Sequence, residues 1–455
     1  MSSSRDLTRR DFMRRSAAGV AGFGLLLNGE PVPLEAAPFM PRPASPADRV
    51  GVGFIGFGIR GNILLEAAKQ TGQANLVAVS DCYQGHLERA KERTDGKIET
   101  NFAQFRKLLE RKDVDAVVIA TPDHWHLPIV LEALSAGKDV YIEKPMTKNV
   151  EDGPKIIEAV QRYNRVLQVG SQWISTEQHK KAREIVASGK LGKVTKITAS
   201  YNRNSSAGAW NYPIPPDLEN GVNFNWEEWL GPAMPRPFNP EYVFRYRKYW
   251  DFSGGISTDL FVHLINSIHF LMGATMPKSV VATGGILFRH DGREVPDTLD
   301  ALFEYPEGFH VNMASTFNSA STAGQGIQLL GTDASLTLLL GQGVMILAEE
   351  SHREGYSYSI DSWPKALQDR WWEMDDHRAE SQRRAAEPET LKTAEPMEST
   401  ALHMLEFFEC VRSRQQCPES AEVGHHAAAA GHMVNISYRS GKKAIWDEES
   451  GSVRT

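Results

Sequence analysis

Asp259 and His263 stand four residues apart in GGISTDLFVHLIN (254–266), a stretch whose apolar spacing reads as a helix. At that separation two side chains share one helix face and can interact. A carboxylate beside an imidazole orients the ring and stabilises its protonated form. Such a pair suits a general base that takes the proton of a hydroxyl while hydride leaves the same carbon. Lys144, in Glu143-Lys144-Pro145, would add positive charge near the same oxygen and stabilise alkoxide character there. The plainer readings, a helix-surface Asp–His contact and a strand-end lysine, stay open on spacing alone.

A departing hydride needs an acceptor. Gly56-Phe57-Gly58-Ile59-Arg60-Gly61 is a G-x-G-x-x-G that follows the apolar run RVGVGFIG and opens a helical pattern. In that context Gly56 permits a tight turn, Gly58 lets the backbone approach a pyrophosphate, and Gly61 allows close helix–strand packing. The pyrophosphate would sit on the helix N-terminus, where free N–H groups and the dipole favour an anion. Asp81 ends the next strand, 25 residues after Gly56. A carboxylate there hydrogen-bonds ribose hydroxyls and repels a 2′-phosphate, which favours NAD and leaves NADP possible.

The elements that must hold these groups follow from periodicity. Apolar runs at RVGVGFIG, NLVAVSD (75–81), VDAVVIATP (114–122), DVYIEKP (139–145) and RVLQVGSQ (165–172) alternate with helical segments. That rhythm predicts an α/β fold with a parallel, doubly wound sheet over 49–172. ATPDHWH (120–126) and Glu143-Lys144-Pro145 end two of its strands, where ligands of such sheets bind. After about residue 190 alternating β segments broken by turns predict a second, mostly antiparallel sheet within 173–399. Residues 350–398 read as an irregular charged excursion, and 400–455 as final helices packing back toward the first domain.

Composition narrows the class. The 455 residues are 41% hydrophobic and 24% charged, with a formal net charge of −7, which argues against a general nucleic-acid role. Beyond the first 30 residues no apolar stretch approaches the roughly 20 needed to span a bilayer. Arg5, Arg9, Arg10, Arg14 and Arg15 form a basic start, and Ser16 to Leu27 a short apolar run. Residues 1–30 therefore read as a twin-arginine export signal and 31–48 as a Pro/Ala-rich linker, implying a periplasmic or otherwise exported protein. Three cysteines, Cys82, Cys410 and Cys417, make no disulfide framework. His124 and His126 beside Asp123 lack an evident third ligand, so no metal is expected.

Taken in order, GFIGFGIRG, SD, ATPDHWH, EKP and D-x-x-x-H resemble the Gfo/Idh/MocA oxidoreductase family, over nearly the whole chain after the leader. The resemblance implies a Rossmann domain followed by an α/β domain with a large open sheet, and homo-oligomerisation through that sheet. It implies a carbohydrate or cyclitol substrate oxidised or reduced at a CH–OH group with NAD or NADP. Lys144, Asp259 and His263 then match the family's catalytic set, and Thr121, Pro122 and His124 a loop passing the cofactor, with Glu143 alongside. Asn266 stands where many members carry an acid that contacts substrate. FRYRKYWDFSGG (244–255) is rich in aromatic and basic groups. Its Arg245, Arg247, Tyr249 and Trp250 could line a sugar pocket or pack between domains. An exported enzyme cannot count on free NAD, so a tightly held dinucleotide is expected. A rival keeps these residues but changes the reaction, cleaving a glycoside through transient oxidation of a hydroxyl, elimination, water addition and re-reduction.

Overall fold

The structure, a computed structural model, describes residues 44–45, 48–321, 325–349, 357–374 and 387–455. The export-signal reading of 1–30 lies outside the described residues, as does most of the linker.

Six strands form the first sheet: β1 (Val50–Ile55), β2 (Ala74–Asp81), β3 (Glu99–Phe102), β4 (Ala116–Ile119), β5 (Asp139–Ile142) and β6 (Leu167–Val169). Their order is β3-β2-β1-β4-β5-β6 and every pair is parallel. VGVGFI and AVVI are buried at every position. Continuous apolar strands of this kind need cover on both faces. Helices Ile59–Thr71 and Ser399–Ser413 supply one layer, through Leu64, Leu65, Phe407 and Phe408. Helices His126–Ser135 and Asp152–Tyr163 supply the other, through Ile129, Val130 and Ile156. Strand order reverses between β1 and β4, and that switch opens a crevice at the strands' carboxyl ends. β3 escapes the sequence reading because ETNF is four residues long, lies at the sheet edge and carries no apolar run.

The second sheet has ten strands, ordered β14-β13-β12-β11-β7-β10-β9-β8-β15-β16. In chain order they are β7 (Lys196–Ser200), β8 (Ser279–Gly285), β9 (Thr298–Glu304), β10 (His310–Thr316), β11 (Gly326–Leu330), β12 (Ala334–Leu339), β13 (Val344–Glu349), β14 (Glu389–Lys392), β15 (Ala444–Asp447) and β16 (Ser452–Arg454). β7 and β10 run parallel and all other neighbours antiparallel. β9 alternates buried and exposed residues along TLDALFE, as a one-sided sheet requires. Its inner face packs on helices Val262–Met272 and Ala421–Ser440, through Phe303, Val311, Met313, Leu264, Ile265 and Met433. Val281, Leu302 and Ile445 stay exposed. Within the stretch expected to be irregular, helix Lys365–Glu373 and the edge strand β14 are regular, β14 pairing with β13.

Residues 202–252 bridge the two sheets. Tyr83, Phe224, Trp226, Trp229, Tyr249 and Phe252 form one aromatic cluster, so this Trp-rich stretch docks on the end of β2. The Asn225 N–H donates to the Cys82 carbonyl (3.0 Å), the Gln84 N–H to the Asn223 carbonyl (2.9 Å), and the Tyr83 hydroxyl to Asp217 (2.6 Å).

Candidate active site

The crevice deepens into a cleft of about 820 Å³ that runs from the glycine loop to the helix Val262–Met272. Gly56 has φ +83°, and a Cβ there would lie 2.8 Å from the Ala120 carbonyl group. A Cβ on Gly61 would lie 2.4 Å from the Gly56 carbonyl oxygen, so this glycine lets helix and strand touch. Gly58 differs: its Cβ would meet only His86, at 3.8 Å, and otherwise open cleft. The helix that follows has no side-chain cap and no acid in its first turn, and Ile59 is exposed above it. Room at Gly58 beside an uncapped helix N-terminus fits a dinucleotide pyrophosphate.

Asp81 closes the loop from below. It accepts the Phe57 N–H (2.6 Å) and the Tyr83 N–H (2.8 Å), and His86 Nδ1 lies 3.1 Å away. Burial alone would raise its pKa, but His86 and the two N–H groups hold it below the usual value. The carboxylate thus stays charged, as discrimination against a 2′-phosphate requires. Arg60 turns inward, donating to Glu143 (2.7 Å), Gln172 (3.4 Å) and Thr400 (3.5 Å). Glu143 therefore acts on the cleft through Arg60; it is buried and ties the glycine loop to the end of β5.

At the far end Lys144 donates to Asp259 Oδ1 (2.7 Å) and to the Asp259 carbonyl (2.8 Å). Arg247 Nε donates to the same Oδ1 (2.9 Å), and the Trp210 indole to Oδ2 (3.1 Å). Burial pushes the Asp259 carboxyl up, but Lys144, Arg247 and Arg203 together bring it well below the ordinary range. No hydrogen bond joins Asp259 to His263. Asp259 sits in a π-turn, Ser257–Phe261, at the head of the helix, and two cations and an indole N–H take its oxygens instead. Among the described residues His263 has no hydrogen-bond partner, and its Nδ1 is buried. Its ring lies 4.8 Å from that of Trp173. Burial, reinforced by Lys144, drops its pKa well below 6.5, so the imidazole is neutral.

The other expected site residues divide. Gly56, Gly58, Ile59, Arg60, Asp81, Thr121, Pro122, Lys144, Arg247, Asp259 and His263 line the cleft, whereas Gly61 packs just behind it. His124 does not line it: burial between Trp229 and Phe252 lowers its pKa to about 4, and Nε2 meets the Trp229 carbonyl at 3.0 Å. Trp125, its neighbour, lines the cleft instead. Trp250 donates to the Glu294 carbonyl (3.0 Å) and stacks under Arg439, outside the cleft. Asn266 is 1% exposed, on the buried side of its helix and outside the cleft lining. Arg245 is spent on Glu241 and the Tyr212 carbonyl, and Tyr249 on the aromatic cluster. Tyr201, Arg203, Tyr212 and Tyr246 line the cleft without having been singled out in sequence. A strand end and a loop carry no spacing signature that would have marked them.

Comparison with known proteins follows this division of the chain. A family described as "Oxidoreductase family, NAD-binding Rossmann fold", GFO_IDH_MocA, matches residues 50–171, and the "GFO/IDH/MocA C-terminal domain" matches 232–337. A "Glycosyl hydrolase family 109 protein" of Shewanella baltica (strain OS185) is 32% identical over 174 residues, 34% of this chain and 38% of that protein. A "Myo-inositol 2-dehydrogenase" of Thermotoga maritima is 27% identical over 238 residues, 52% of this chain and 58% of its own length. The chain thus matches less than two thirds of either relative. The solved structure "Levoglucosan dehydrogenase, complex with NADH and levoglucosan" superposes with a TM-score of 0.65 at 17% identity, covering 87% of this chain and 98% of its own. At that identity the likeness shows the fold.

Proposed function

The chain belongs to the Gfo/Idh/MocA oxidoreductase family, and we propose from that premise that it is an NAD(P)-dependent oxidoreductase acting on a CH–OH group of a sugar, glycoside or cyclitol. The observation that carries the reading is one continuous cleft, with the glycine loop and Asp81 at one end and Lys144, Asp259 and His263 at the other. Bound dinucleotide supplies the hydride acceptor. Neutral His263 accepts the proton of the substrate hydroxyl. Lys144 keeps one N–H beyond the two given to Asp259 and directs it at the alkoxide that develops. Asp259 holds Lys144 and Arg247 in place. Trp173 and Tyr201 offer aromatic faces to a sugar ring. The resemblance to a myo-inositol 2-dehydrogenase and to a levoglucosan dehydrogenase supports this substrate class.

The test is to denature the purified protein and assay the supernatant for nicotinamide dinucleotide by mass, then to follow nicotinamide reduction with a sugar and cyclitol panel. No dinucleotide bound or bindable, or no redox change with any polyol, would sink the reading.

A second reading is favoured by the glycoside hydrolase relatives, which match 174 residues of the chain. There the same residues would oxidise a hydroxyl transiently while a glycoside is cleaved. Aglycone release from aryl glycosides without external oxidant, and without net change in the nicotinamide, separates the two.

The proposal extends to cellular context. Arg9 and Arg10 would head a twin-arginine signal that exports the folded protein to the periplasm with its dinucleotide held tightly. The exposed face of the second sheet would pair copies into a homo-oligomer. Fractionation of the full-length protein and light scattering of the mature form check these in turn.

A further inference from the structure

The substrate end of the cleft carries more positive charge than its one acid can use. Lys144, Arg203 and Arg247 all line it, and Asp259 is the carboxylate that answers them. Asp81 and Glu228 also line the cleft, but Asp81 sits by the glycine loop and Glu228 in the helix Trp226–Leu230 docked near the end of β2. Asp123, which feels Arg247 and Lys144, is buried outside the cleft, where burial raises its pKa toward the neutral form.

Two guanidinium groups are left with donors to give. Arg247 commits Nε to Asp259 and has its ring-facing side over Tyr246, 4.6 Å from the centroid. No protein acceptor takes its two terminal nitrogens among the described residues. Arg203 follows β7, fixed by its backbone N–H to the Thr316 carbonyl (2.9 Å). Its guanidinium lies 4.8 Å over the Tyr201 ring and pairs with no carboxylate among the described residues. Gly208 makes room for it: a Cβ there would sit 3.1 Å from Arg203 Cβ. Tyr201 stacks toward Trp173 (5.8 Å) and Trp173 toward His263 (4.8 Å), so the free guanidinium stands at the end of an aromatic wall that begins at the proposed base.

Planar forks of this kind match a carboxylate, and unneutralised cations in a partly dry cleft gain most from an anion. We propose that the substrate is an acidic sugar whose carboxylate, remote from the oxidised carbon, is bound by Arg203 and Arg247. This rests on the sugar-oxidoreductase reading above and narrows it to uronic-acid-type substrates. A neutral sugar would leave the Arg203 guanidinium and the terminal nitrogens of Arg247 without an anion of their own.

The experiment is a binding measurement, so that it does not depend on turnover. Tryptophan fluorescence or calorimetry is run on the dinucleotide-loaded protein with D-glucuronate, D-galacturonate and D-mannuronate. Each is compared with its neutral hexose and its methyl ester, which keeps the shape and removes the charge. At least one uronate should bind about tenfold to a hundredfold more tightly than its ester, the worth of a charge-assisted hydrogen bond. Arg203→Met should erase that difference, and Arg203→Lys should keep part of it, with dinucleotide content unchanged as the check on folding. Equal affinity for acid and ester, or no uronate bound at all, overturns the proposal. So does an Arg203→Met variant that retains the difference. Failure of the oxidoreductase reading shows separately, as uronate binding without nicotinamide reduction.

Discussion

Lys144 Nζ stands 2.7 Å from Asp259 Oδ1, across a separation of 115 residues, and each side chain is only 10% exposed. The pair clasps the end of β5 in the first sheet to the π-turn heading the helix Val262–Met272 beside the second. It fixes both the cation and the helix that carries His263. A buried pair repays its desolvation only through good geometry and further hydrogen bonds, which Arg247 and Trp210 supply here.

Asp259→Asn keeps the shape and removes the charge, leaving Lys144 and Arg247 without an anion. Breaking one side of a buried pair costs roughly 3–5 kcal/mol, and urea unfolding should show a loss of that order. Adding Lys144→Met should recover part of it, because the double variant buries one cation fewer. A loss below about 1 kcal/mol would mean that water screens the pair as at a surface.

His263→Ala should lower turnover by about 10²- to 10⁴-fold, the usual worth of a positioned acid–base group, with dinucleotide still bound. Its pH behaviour follows from burial and Lys144, which lower its pKa well below 6.5. The base form is lost only as pH falls through that lowered value. The acid limb of kcat/KM assigned to this group should therefore lie below pH 6.5, and a limb at or above 6.5 would remove His263 as the base.

The first sheet was legible because its strands are apolar runs between helices and its glycines sit at a strand–helix joint. Gly56 makes the turn and Gly61 the close helix–strand contact that the motif implies, while Gly58 leaves open space. Asp259 and His263 were legible as a pair in spacing, not in contact. Spacing places two side chains on one face but does not know that Lys144, 115 residues earlier, and Arg247 compete for the carboxylate. Arg203 was invisible for the same reason. In KITASYNR it is one basic residue after a strand, and only the fold sets it over Tyr201 in the cleft. His124 and Trp125 show the limit of register: His124 Nε2 and Trp125 Nε1 both meet the Trp229 carbonyl, at 3.0 and 2.8 Å, yet only Trp125 lines the cleft.

Gly58→Ala separates folding from binding. Its φ of −68° suits any residue, and the new Cβ meets only open cleft. Stability should change by less than about 0.5 kcal/mol, the usual span for a substitution that touches nothing. Dinucleotide affinity should fall, since the methyl occupies space the pyrophosphate needs. Gly56→Ala should fail differently, by misfolding, because φ is +83° and the Ala120–Thr121 backbone blocks the Cβ. Thermal melts with and without NAD distinguish the two, and an unaltered NAD-induced shift in Gly58→Ala would count against the loop as the pyrophosphate site.

Acid should destabilise the protein well before its carboxylates titrate. Burial lowers His124, His179 and His432 to about 4 each. His179 shows why: it is 2% exposed, with its ring nitrogens 3.0 Å from the Thr176 and Ser267 hydroxyls and no acid to hold a proton on it. Below pH 6.5 the unfolded chain takes up protons that the folded chain refuses, so stability rises with pH between about 4 and 6.5 and is lost as pH falls through that window. Each group contributes on the order of a few kcal/mol across it. Asp259 and Asp81, whose pKa values are lowered in the fold, act in the same direction but only below their unfolded value near 3.8. Asp123 and Glu419, raised by burial, and His86, raised by Asp81, act in the opposite direction and lessen the slope that the lowered histidines set. Urea unfolding at pH 7.5, 6 and 5 should show a monotonic fall in stability, with about three protons taken up on unfolding near pH 5 from these groups alone. His179→Asn should flatten the slope by close to one proton, and an unchanged slope would mean that His179 is charged inside the fold.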